Sequence, residues 1–296
     1  MNTKSFYYLA SYPRSGNTWC RLFIYELIKS KDSNLNTNEE SLKDKNFKIN
    51  EIPFKSQSII SLRKNIDDQL GFDSSDLYID ELDKYRSNIE LKKLNEIKTF
   101  NLLKVHDAFT SPFTENRPVL PIKDCKGVIY LVRNPIDIVA SLSKFYDWDI
   151  QETINFLLDN DAGLCKSTKR CSNFVRQYMG TWAFHVKSWT NQNKLPFFVV
   201  RYEDLVKSPQ KYFSQIAQFL EISSDQTIID QAIRKTTFEK LKKNQEEYKT
   251  FIDKPLTCKE FFWRGLPGEG KKIINKYQRD KIINSLGDIM ELYSYV

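Results

Sequence analysis

Residues 11–19 read Ser-Tyr-Pro-Arg-Ser-Gly-Asn-Thr-Trp, and the segments that flank them decide the fold. An apolar run, residues 6–10, leads into this stretch, and an amphipathic run from Trp19 to Ile28 follows it. The order predicts a strand, a tight polar turn and a helix. Such a turn directs several backbone N–H groups and a helix N-terminus at one point, which favours an anion. Arg14 adds a fixed charge whose planar donors suit phosphate or sulfate.

The same stretch differs from the Walker A loop of P-loop kinases. That motif requires a lysine directly before its Ser or Thr, whereas Asn17 precedes Thr18 here, and the basic residue stands before the glycine. Taken alone, the stretch also fits an ordinary strand-to-helix turn with a capping serine and a surface arginine. A P-loop-type kinase is therefore one alternative, which magnesium-dependent ATP turnover would support.

The composition is that of a globular protein. The chain has 296 residues, of which 41% are hydrophobic and 14% aromatic, enough for a large core. Its net charge of +7 fits a polyanionic ligand, an acidic surface or a nucleic acid, so a basic nucleic-acid-binding protein is the alternative outside the enzymes. Interleaved acidic residues argue against a nucleic-acid partner. The scattered cysteines, the early first strand and the lack of an apolar run of about 18 residues predict a cytoplasmic protein with no membrane span and no metal site.

Strand and helix patterns alternate along the rest of the chain. Further strands are predicted at 99–105, 128–132 and 196–200, and helices start at Asn134-Pro135, Ser208-Pro209, Ser224 and about 276. This alternation predicts one α/β domain, 1–296, with a central, mostly parallel sheet and helices on both faces. Two segments, about 30–97 and a helical 145–180, are interpreted as insertions at the edge where such sheets bind ligands.

A histidine follows the second predicted strand, in Lys104-Val105-His106. Alternation along a strand places Lys104 and His106 on the same side. A histidine at this position can act as a general base near neutral pH, and the lysine can neutralise nearby charge. The alternative is a structural histidine with a surface lysine.

Two later segments also carry positive charge next to a turn. Arg133 follows the buried strand at 128–132 and precedes a capped helix that contains Ser141, so both residues are expected near an anion. Residues 261–271, Phe-Phe-Trp-Arg-Gly-Leu-Pro-Gly-Glu-Gly-Lys, are typical of a mobile loop that closes over an anionic ligand. The alternatives are a helix cap with a surface arginine, and a loop whose aromatic residues attach it to the core.

Together and in this order, the four segments resemble the cytosolic-type sulfotransferases, which use 3′-phosphoadenosine 5′-phosphosulfate (PAPS). The resemblance extends from Phe6 to the C-terminal helix and is weakest over the two polar segments. It implies a P-loop-like three-layer fold. It also implies an enzyme of class EC 2.8.2 that transfers a sulfuryl group from PAPS to a hydroxyl or amine of a small molecule by in-line displacement. The product of the cofactor is adenosine 3′,5′-bisphosphate (PAP).

The resemblance also implies a role for each matching residue. Those that cradle the 5′-phosphosulfate are Arg14, Ser15, Gly16, Asn17 and Thr18. Those around the adenine are Trp19, which stacks on the ring, and Tyr202, Thr236, Thr237 and Phe238. Those that hold the 3′-phosphate are Arg133, Ser141, Arg264 and Gly265. The implied catalytic residues are His106 as general base, Lys104 as its companion, and Arg14, which holds charge on the transferred group.

This chain departs from the family pattern at three positions. Arg14 stands where the best-known branch has lysine, and arginine is a poor proton donor because its pKa lies above about 12. Trp263 replaces the first basic residue of the closing loop, and Gly270 stands where tryptophan is usual. Both changes are expected to weaken the hold on the 3′-phosphate. Residues 271–280 match the family's dimerisation motif poorly, so the sequence does not predict the oligomeric state.

The acceptor is indicated only by an acidic segment, Asp67 to Glu81, in an otherwise basic chain. A solvated helix face explains this segment, and so does a site for a cationic acceptor such as an amine- or guanidinium-bearing natural product. The second histidine, His185, lies in a helical aromatic pattern with Trp182 and Trp189. A packing role is favoured for it over a place in the acceptor pocket.

Overall fold

A computed structural model describes residues 5–31, 61–86, 102–166, 172–248, 258 and 260–296. The chain divides into two compact units. The first unit comprises Met1–Tyr12, Phe54–Tyr130 and Asn155–Val199, and the second comprises Pro13–Pro53, Leu131–Ile154 and Val200–Val296. Only the described residues within these ranges are considered below. The single domain proposed from the sequence stays a prediction.

The predicted sheet is present, and its strands lie where the apolar runs placed them. The strands are β1 (Phe6–Ser11), β2 (Leu102–Val105), β3 (Cys125–Val132), β4 (Gly163–Leu164), β5 (Gln177–Tyr178) and β6 (Phe197–Arg201). Four of them form a sheet in the order β2-β1-β3-β6, and β4 pairs with β5 in a separate antiparallel ladder. Strand β1 runs parallel to β2, with Tyr7 opposite Leu102 and Ala10 opposite Val105. All six residues of β1 are buried, as a central parallel strand requires.

Helices alternate with these strands. They are α1 (Asn17–Lys31), α2 (Arg63–Leu70), α3 (Ile79–Arg86), α4 (Pro135–Tyr146), α5 (Ile150–Leu158), α6 (Trp182–Thr190), α7 (Tyr202–Lys207), α8 (Pro209–Phe219), α9 (Gln226–Lys235), α10 (Phe238–Tyr248) and α11 (Lys276–Leu292), with 3-10 turns at Ser74–Asp76 and Glu269–Lys272. Together with the parallel sheet, they confirm the predicted α/β class. In the ranges that the structure describes, no helix combines the length and apolar character needed to cross a membrane.

The helix caps confirm one prediction and correct another. The Asn134 side chain accepts a hydrogen bond from the Ile136 N–H and caps α4, with Pro135 at the first helical position. The prediction that Ser224 caps the next helix is wrong by one residue, because the Asp225 carboxylate accepts from Thr227 and Ile228. Both residue types cap helices well, so composition alone does not separate them.

The two predicted insertions are only partly described. In the segment 145–180, the prediction of a helix holds for α5 but is wrong beyond it, where β4 and β5 form a short ladder. Residues 167–171 lie outside the described part of the chain. In the segment 30–97, the structure describes residues 30, 31 and 61–86, which include α2 and α3, and the rest lies outside the described residues.

Candidate active site

The turn between β1 and α1 has a left-handed backbone at two positions. Arg14 has φ 69° and Gly16 has φ 93°. A Cβ atom at Gly16 would lie 2.6 Å from the Tyr202 ring, so no side chain fits there. The Gly16 carbonyl accepts from the Cys20 N–H at 3.1 Å and opens the first turn of α1. The predicted strand–turn–helix is therefore confirmed, and its glycine is required by the approach of Tyr202.

The Arg14 guanidinium connects the turn with two distant segments. Its Nε donates to Ser141 Oγ at 3.0 Å, and its Nη2 donates to the Phe261 carbonyl at 2.7 Å. It also lies over the rings of Phe145 and Phe261, 4.5 and 5.0 Å from their centroids. Burial, and then the charge of Arg133, lower the pKa of Arg14 to about 10, so the side chain stays charged at neutral pH.

Arg133, which directly follows β3, is hydrogen-bonded to the same turn. Its Nη1 donates to the Arg14 carbonyl at 2.9 Å, and its guanidinium carbon lies 4.4 Å from the centroid of the Tyr202 ring. The Tyr202 hydroxyl in turn donates to the Gly265 carbonyl at 2.6 Å. The structure thus brings the predicted turn, the arginine after β3 and the closing loop into one cluster.

Four of the five residues predicted around the adenine belong to the same cluster, namely Trp19, Tyr202, Thr236 and Phe238. The Trp19 indole N–H donates to the Thr236 carbonyl at 2.7 Å, and the Trp19 ring meets the Tyr202 ring edge-on. The Phe238 ring lies against Gly265. The Thr236 hydroxyl donates to the Ala232 carbonyl of α9. Thr236 therefore contacts Trp19 through its main chain and not through its side chain.

The closing loop is held to α4 by a residue that the sequence analysis did not select. The buried Asp137 carboxylate accepts from the Gly268 N–H at 2.8 Å and from the Gly270 N–H at 2.7 Å. A Cβ atom at Gly270 would lie 2.3 Å from the Ile136 carbonyl oxygen. Gly270 therefore allows the close approach of the loop to α4. The signal for Asp137 was a lone carboxylate inside the apolar run 136–142.

Arg264 is supported by three neighbours in the same loop region. It pairs with the Glu269 carboxylate, and its guanidinium carbon lies 4.8 Å from the centroid of the Trp263 ring. Lys272 donates to Glu269 at 2.7 Å. Hydrogen bonds from Lys272 and Arg264 lower the pKa of Glu269 below its usual value, which keeps the carboxylate charged. Trp263 thus replaces a charge with a ring that stacks on the remaining arginine.

Buried donors in this cluster fit an anionic ligand. Ser15 Oγ and Arg133 Nε are buried and have no hydrogen-bond partner among the described residues. Buried donors of this kind are costly unless a ligand or water satisfies them. Two arginines beside them supply the charge that phosphate and sulfate groups require. Every residue predicted to hold PAPS lies in the second unit.

His106 lies in the first unit, directly after β2. Its Nδ1 lies 2.7 Å from the Ser11 carbonyl oxygen and 3.5 Å from Ser11 Oγ. Because a carbonyl oxygen only accepts, Nδ1 carries a proton, and in the neutral ring the lone pair is then at Nε2. This is the tautomer that a general base requires at Nε2. Lys104, partly buried, lies two residues earlier on β2.

The Asp107 side chain, next to the histidine, forms a fully buried ion pair. Arg86 donates to both carboxylate oxygens of Asp107, at 2.7 and 3.2 Å, and its Nη1 also donates to the Arg176 carbonyl at 2.9 Å. Bidentate pairs of this kind fix orientation as well as charge. Neither Arg86 nor Asp107 was predicted as a functional residue, because the pair joins positions 21 residues apart and leaves no local pattern.

Known proteins match this chain over most of its length. Sulfotransferase 1E1 of Homo sapiens is 27% identical over 276 residues, which cover 89% of this chain and 76% of that protein. Sulfotransferase 1B1 of Canis lupus familiaris is 24% identical over 286 residues, 92% of this chain and 79% of that protein.

Two solved structures share the fold. Retinol dehydratase in a complex with retinol and PAP aligns with a TM-score of 0.59 at 18% identity, covering 98% of this chain and 82% of that chain. Mouse sulfotransferase SULT7A1 complexed with PAP aligns with a TM-score of 0.56 at 18% identity, covering 97% and 85%. A family model described as a sulfotransferase domain matches residues 7–290. This chain therefore belongs to the sulfotransferase family, the PAPS-dependent transferases that its four segments resemble.

Proposed function

We propose that this enzyme transfers the sulfuryl group of PAPS to a hydroxyl or amine of a small-molecule acceptor, with His106 as the general base. Family membership supports the reaction class. The observation that supports the cofactor is the cluster of Arg14, Ser15, Arg133 and Ser141, in which the buried Ser15 hydroxyl and Arg133 Nε lack partners among the described residues. The fold is also shared by two proteins whose structures contain PAP.

Different residues of the cluster hold different parts of PAPS. Turn residues 14–18 hold the phosphosulfate end with backbone N–H groups and the Arg14 charge. Arg133, Ser141, Arg264 and Gly265 hold the 3′-phosphate. Aromatic rings and main-chain groups enclose the adenine, and they belong to Trp19, Tyr202, Thr236, Thr237 and Phe238. When bound, PAPS supplies the sulfuryl group and leaves as PAP.

His106 handles the proton of the acceptor. As the acceptor oxygen or nitrogen attacks sulfur, its proton moves to Nε2, while Nδ1–H stays bound to the Ser11 carbonyl. Arg14 and Lys104 neutralise the negative charge that develops in the transition state. Arg14 acts through charge and not as an acid, because even its lowered pKa of about 10 leaves it protonated at pH 7.

Calorimetric titration with PAP tests the cofactor site. We expect tight binding to the unaltered chain and about 10- to 100-fold weaker binding to Arg133→Ala, because a charge-assisted contact is lost. Arg234→Ala is the matched control, since Arg234 is exposed on α9; its PAP affinity should equal that of the unaltered chain. If the unaltered chain does not bind PAP, the proposed function fails.

His106→Asn tests the base separately. The asparagine amide keeps a donor for the Ser11 carbonyl but offers no basic nitrogen, so kcat should fall roughly 10²- to 10⁴-fold with PAP affinity unchanged. Turnover is followed as PAP release with a panel of phenols, amines and guanidines. Unchanged kcat would exclude His106 as the base but would leave the cofactor site standing.

The same panel tests the proposed cationic acceptor. Several carboxylates of the acidic segment cap local backbone: Asp67 accepts from the Ser74 N–H at 2.8 Å, Asp73 from Ser75 at 2.9 Å, and Glu81 from Tyr78 at 2.9 Å. These caps support the interpretation as solvated structure. Preference for guanidines and amines over neutral phenols would support a cationic acceptor, and preference for phenols would contradict it.

A further inference from the structure

Helix α6 contacts the main chain that carries His106. The His185 ring lies with Nε2 at 3.1 Å from the His106 carbonyl oxygen, and the Trp189 indole N–H donates to the Asp107 carbonyl at 2.9 Å. Residues 185 and 189 are four apart and share one face of the helix. Two consecutive carbonyls after β2 are therefore each bound by a side chain of α6.

Further hydrogen bonds continue along the same segment. The Phe109 N–H donates to Ser188 Oγ at 3.0 Å, so a third α6 side chain binds this segment. The Ala108 N–H donates to the Tyr178 carbonyl at 2.7 Å. The Asp107 carboxylate is held by its ion pair with Arg86. Residues 106–109 are thus bound at every position.

The protonation of His185 is determined by its two partners. Since the His106 carbonyl only accepts, Nε2 of His185 carries the proton, and Nδ1 then accepts from the Tyr130 hydroxyl at 2.8 Å. Burial lowers the pKa of His185 to about 4, so the ring is neutral at pH 7. The ring therefore uses its single donor on the carbonyl of the predicted base.

We propose that His185 and Trp189 are positioning residues for sulfuryl transfer. They hold the His106 and Asp107 carbonyls, and thereby orient the His106 peptide so that Nδ1–H reaches the Ser11 carbonyl and Nε2 keeps the lone pair. This inference rests on the proposed role of His106 as the base. A buried histidine can donate its N–H to any nearby acceptor. Packing alone therefore does not require that His185 bind the His106 carbonyl.

The loss of these contacts has a defined chemical consequence. Without a donor at position 185, the buried His106 carbonyl turns toward another partner, and the histidine ring moves with its peptide. The bond to Ser11 is then weakened, and the proton distributes between Nδ1 and Nε2. A displacement of about 1 Å at a reacting group costs up to ~10²-fold in rate.

Nitrogen-15 NMR of the imidazole rings measures the tautomer of each histidine directly, because the chain contains only two histidines. His106→Asn assigns the spectrum by removing one of the two rings. In the unaltered chain at pH 7.5, we expect the Nδ1–H tautomer for His106 and the Nε2–H tautomer for His185. In His185→Leu, we expect His106 as a mixture of tautomers, kcat lowered about 10- to 100-fold, and PAP affinity unchanged.

The matched variant is His185→Gln, whose amide keeps an N–H directed at the His106 carbonyl. It should restore most of kcat and the Nδ1–H tautomer. If His185→Leu does not fold, two milder variants replace it: Trp189→Phe removes one N–H, and Tyr130→Phe removes one hydroxyl. Each should shift the His106 tautomer in the direction expected for His185→Leu, but by a smaller amount. Trp148→Phe makes the same substitution as Trp189→Phe, but in the second unit, and serves as its control.

Two contrary results are distinguishable. If folded variants at positions 185 and 189 keep the Nδ1–H tautomer of His106 and a kcat within about twofold of the unaltered chain, the positioning role is overturned. If His106→Asn keeps its kcat, the base assignment fails instead, while the NMR spectra still decide whether α6 sets the His106 tautomer.

Discussion

At Gly16 the backbone serves two needs at once. Its φ of 93° turns the chain from β1 into α1, and its missing side chain admits the Tyr202 ring, which a Cβ atom would approach to 2.6 Å. The Tyr202 ring is also the surface on which Arg133 stacks. One small residue therefore permits the β1–α1 turn to pack against Tyr202, the ring on which Arg133 also lies.

Gly16→Ala should weaken PAP binding at least tenfold. The added methyl group displaces the Tyr202 ring, and the positive φ adds a backbone cost of about 1 kcal/mol. Calorimetric titration with PAP measures the first effect, and thermal unfolding measures the second. Gly71→Ala is the control, since Gly71 has φ 78° with no atom near its Cβ position. Equal PAP affinity in Gly16→Ala and the unaltered chain would contradict the steric argument.

Gly270 and Trp263 show how residues that depart from the family pattern fit this chain. From the sequence, both residues were expected to weaken the hold on the 3′-phosphate. In the structure, Gly270 lets the loop approach the Ile136 carbonyl, and Trp263 stacks on Arg264. Each of these residues makes a local contact that its own type allows, and the weaker hold on the 3′-phosphate stays a prediction.

At the level of elements, the first turn of α4 holds the closing loop. Asn134 caps the helix, which leaves the Asp137 carboxylate available to bind two N–H groups of the loop. Arg264 and Gly265 precede these N–H groups by a few residues. The position of the loop is thus set by a helix that begins directly after Arg133.

Asp137→Asn should loosen the loop and weaken PAP binding about tenfold or more. One carboxylate oxygen is replaced by an NH2 group that faces a backbone N–H, so one hydrogen bond to a charged group is lost, worth about 1.5–3 kcal/mol. Hydrogen exchange over residues 261–272 should become faster. Asp288→Asn removes an exposed charge from α11 and should change neither quantity. Unchanged exchange in Asp137→Asn would show that the loop is held by other contacts.

At the level of the whole molecule, buried ionisable groups make stability depend on pH. Burial lowers the pKa of His185 to about 4 and raises the pKa of Asp83 and of Glu203 above the usual value. Between the ordinary histidine pKa of about 6.5 and 4, the unfolded chain binds a proton at position 185 that the folded chain does not. His185 therefore destabilises the fold as pH falls, whereas Asp83 and Glu203 act in the opposite direction.

The difference between the unaltered chain and His185→Gln isolates this contribution. The free energy of unfolding of the unaltered chain, relative to the variant, should fall by up to about 3 kcal/mol as the pH is lowered from 7 to 4. Urea unfolding at a series of pH values measures both. Parallel curves for the two proteins would mean that His185 is protonated equally in the folded and unfolded states.

Much of the fold and part of the site could be predicted from local patterns. Hydrophobic runs, caps and turn residues act over a few positions, so the four strands of the sheet, the β1–α1 turn and the cap at Asn134 were identified correctly. The helical character predicted for the segment 145–180 was wrong beyond α5, because β4 and β5 have two residues each and leave no periodic signal. The same locality explains why Ser224 was selected over Asp225.

Local sequence patterns predicted an anion site at the β1–α1 turn, and the order of the four segments placed the chain among the sulfotransferases, which the family model confirms. The partners of these residues, in contrast, are known only from the folded chain. Arg14 meets Ser141 and Phe261 across 127 and 247 positions, Asp137 meets Gly268 across 131, and Tyr130 meets His185 across 55. Side-chain periodicity carries no information over such separations. These partnerships arise only when the packed core brings distant donors and acceptors within about 3 Å of one another.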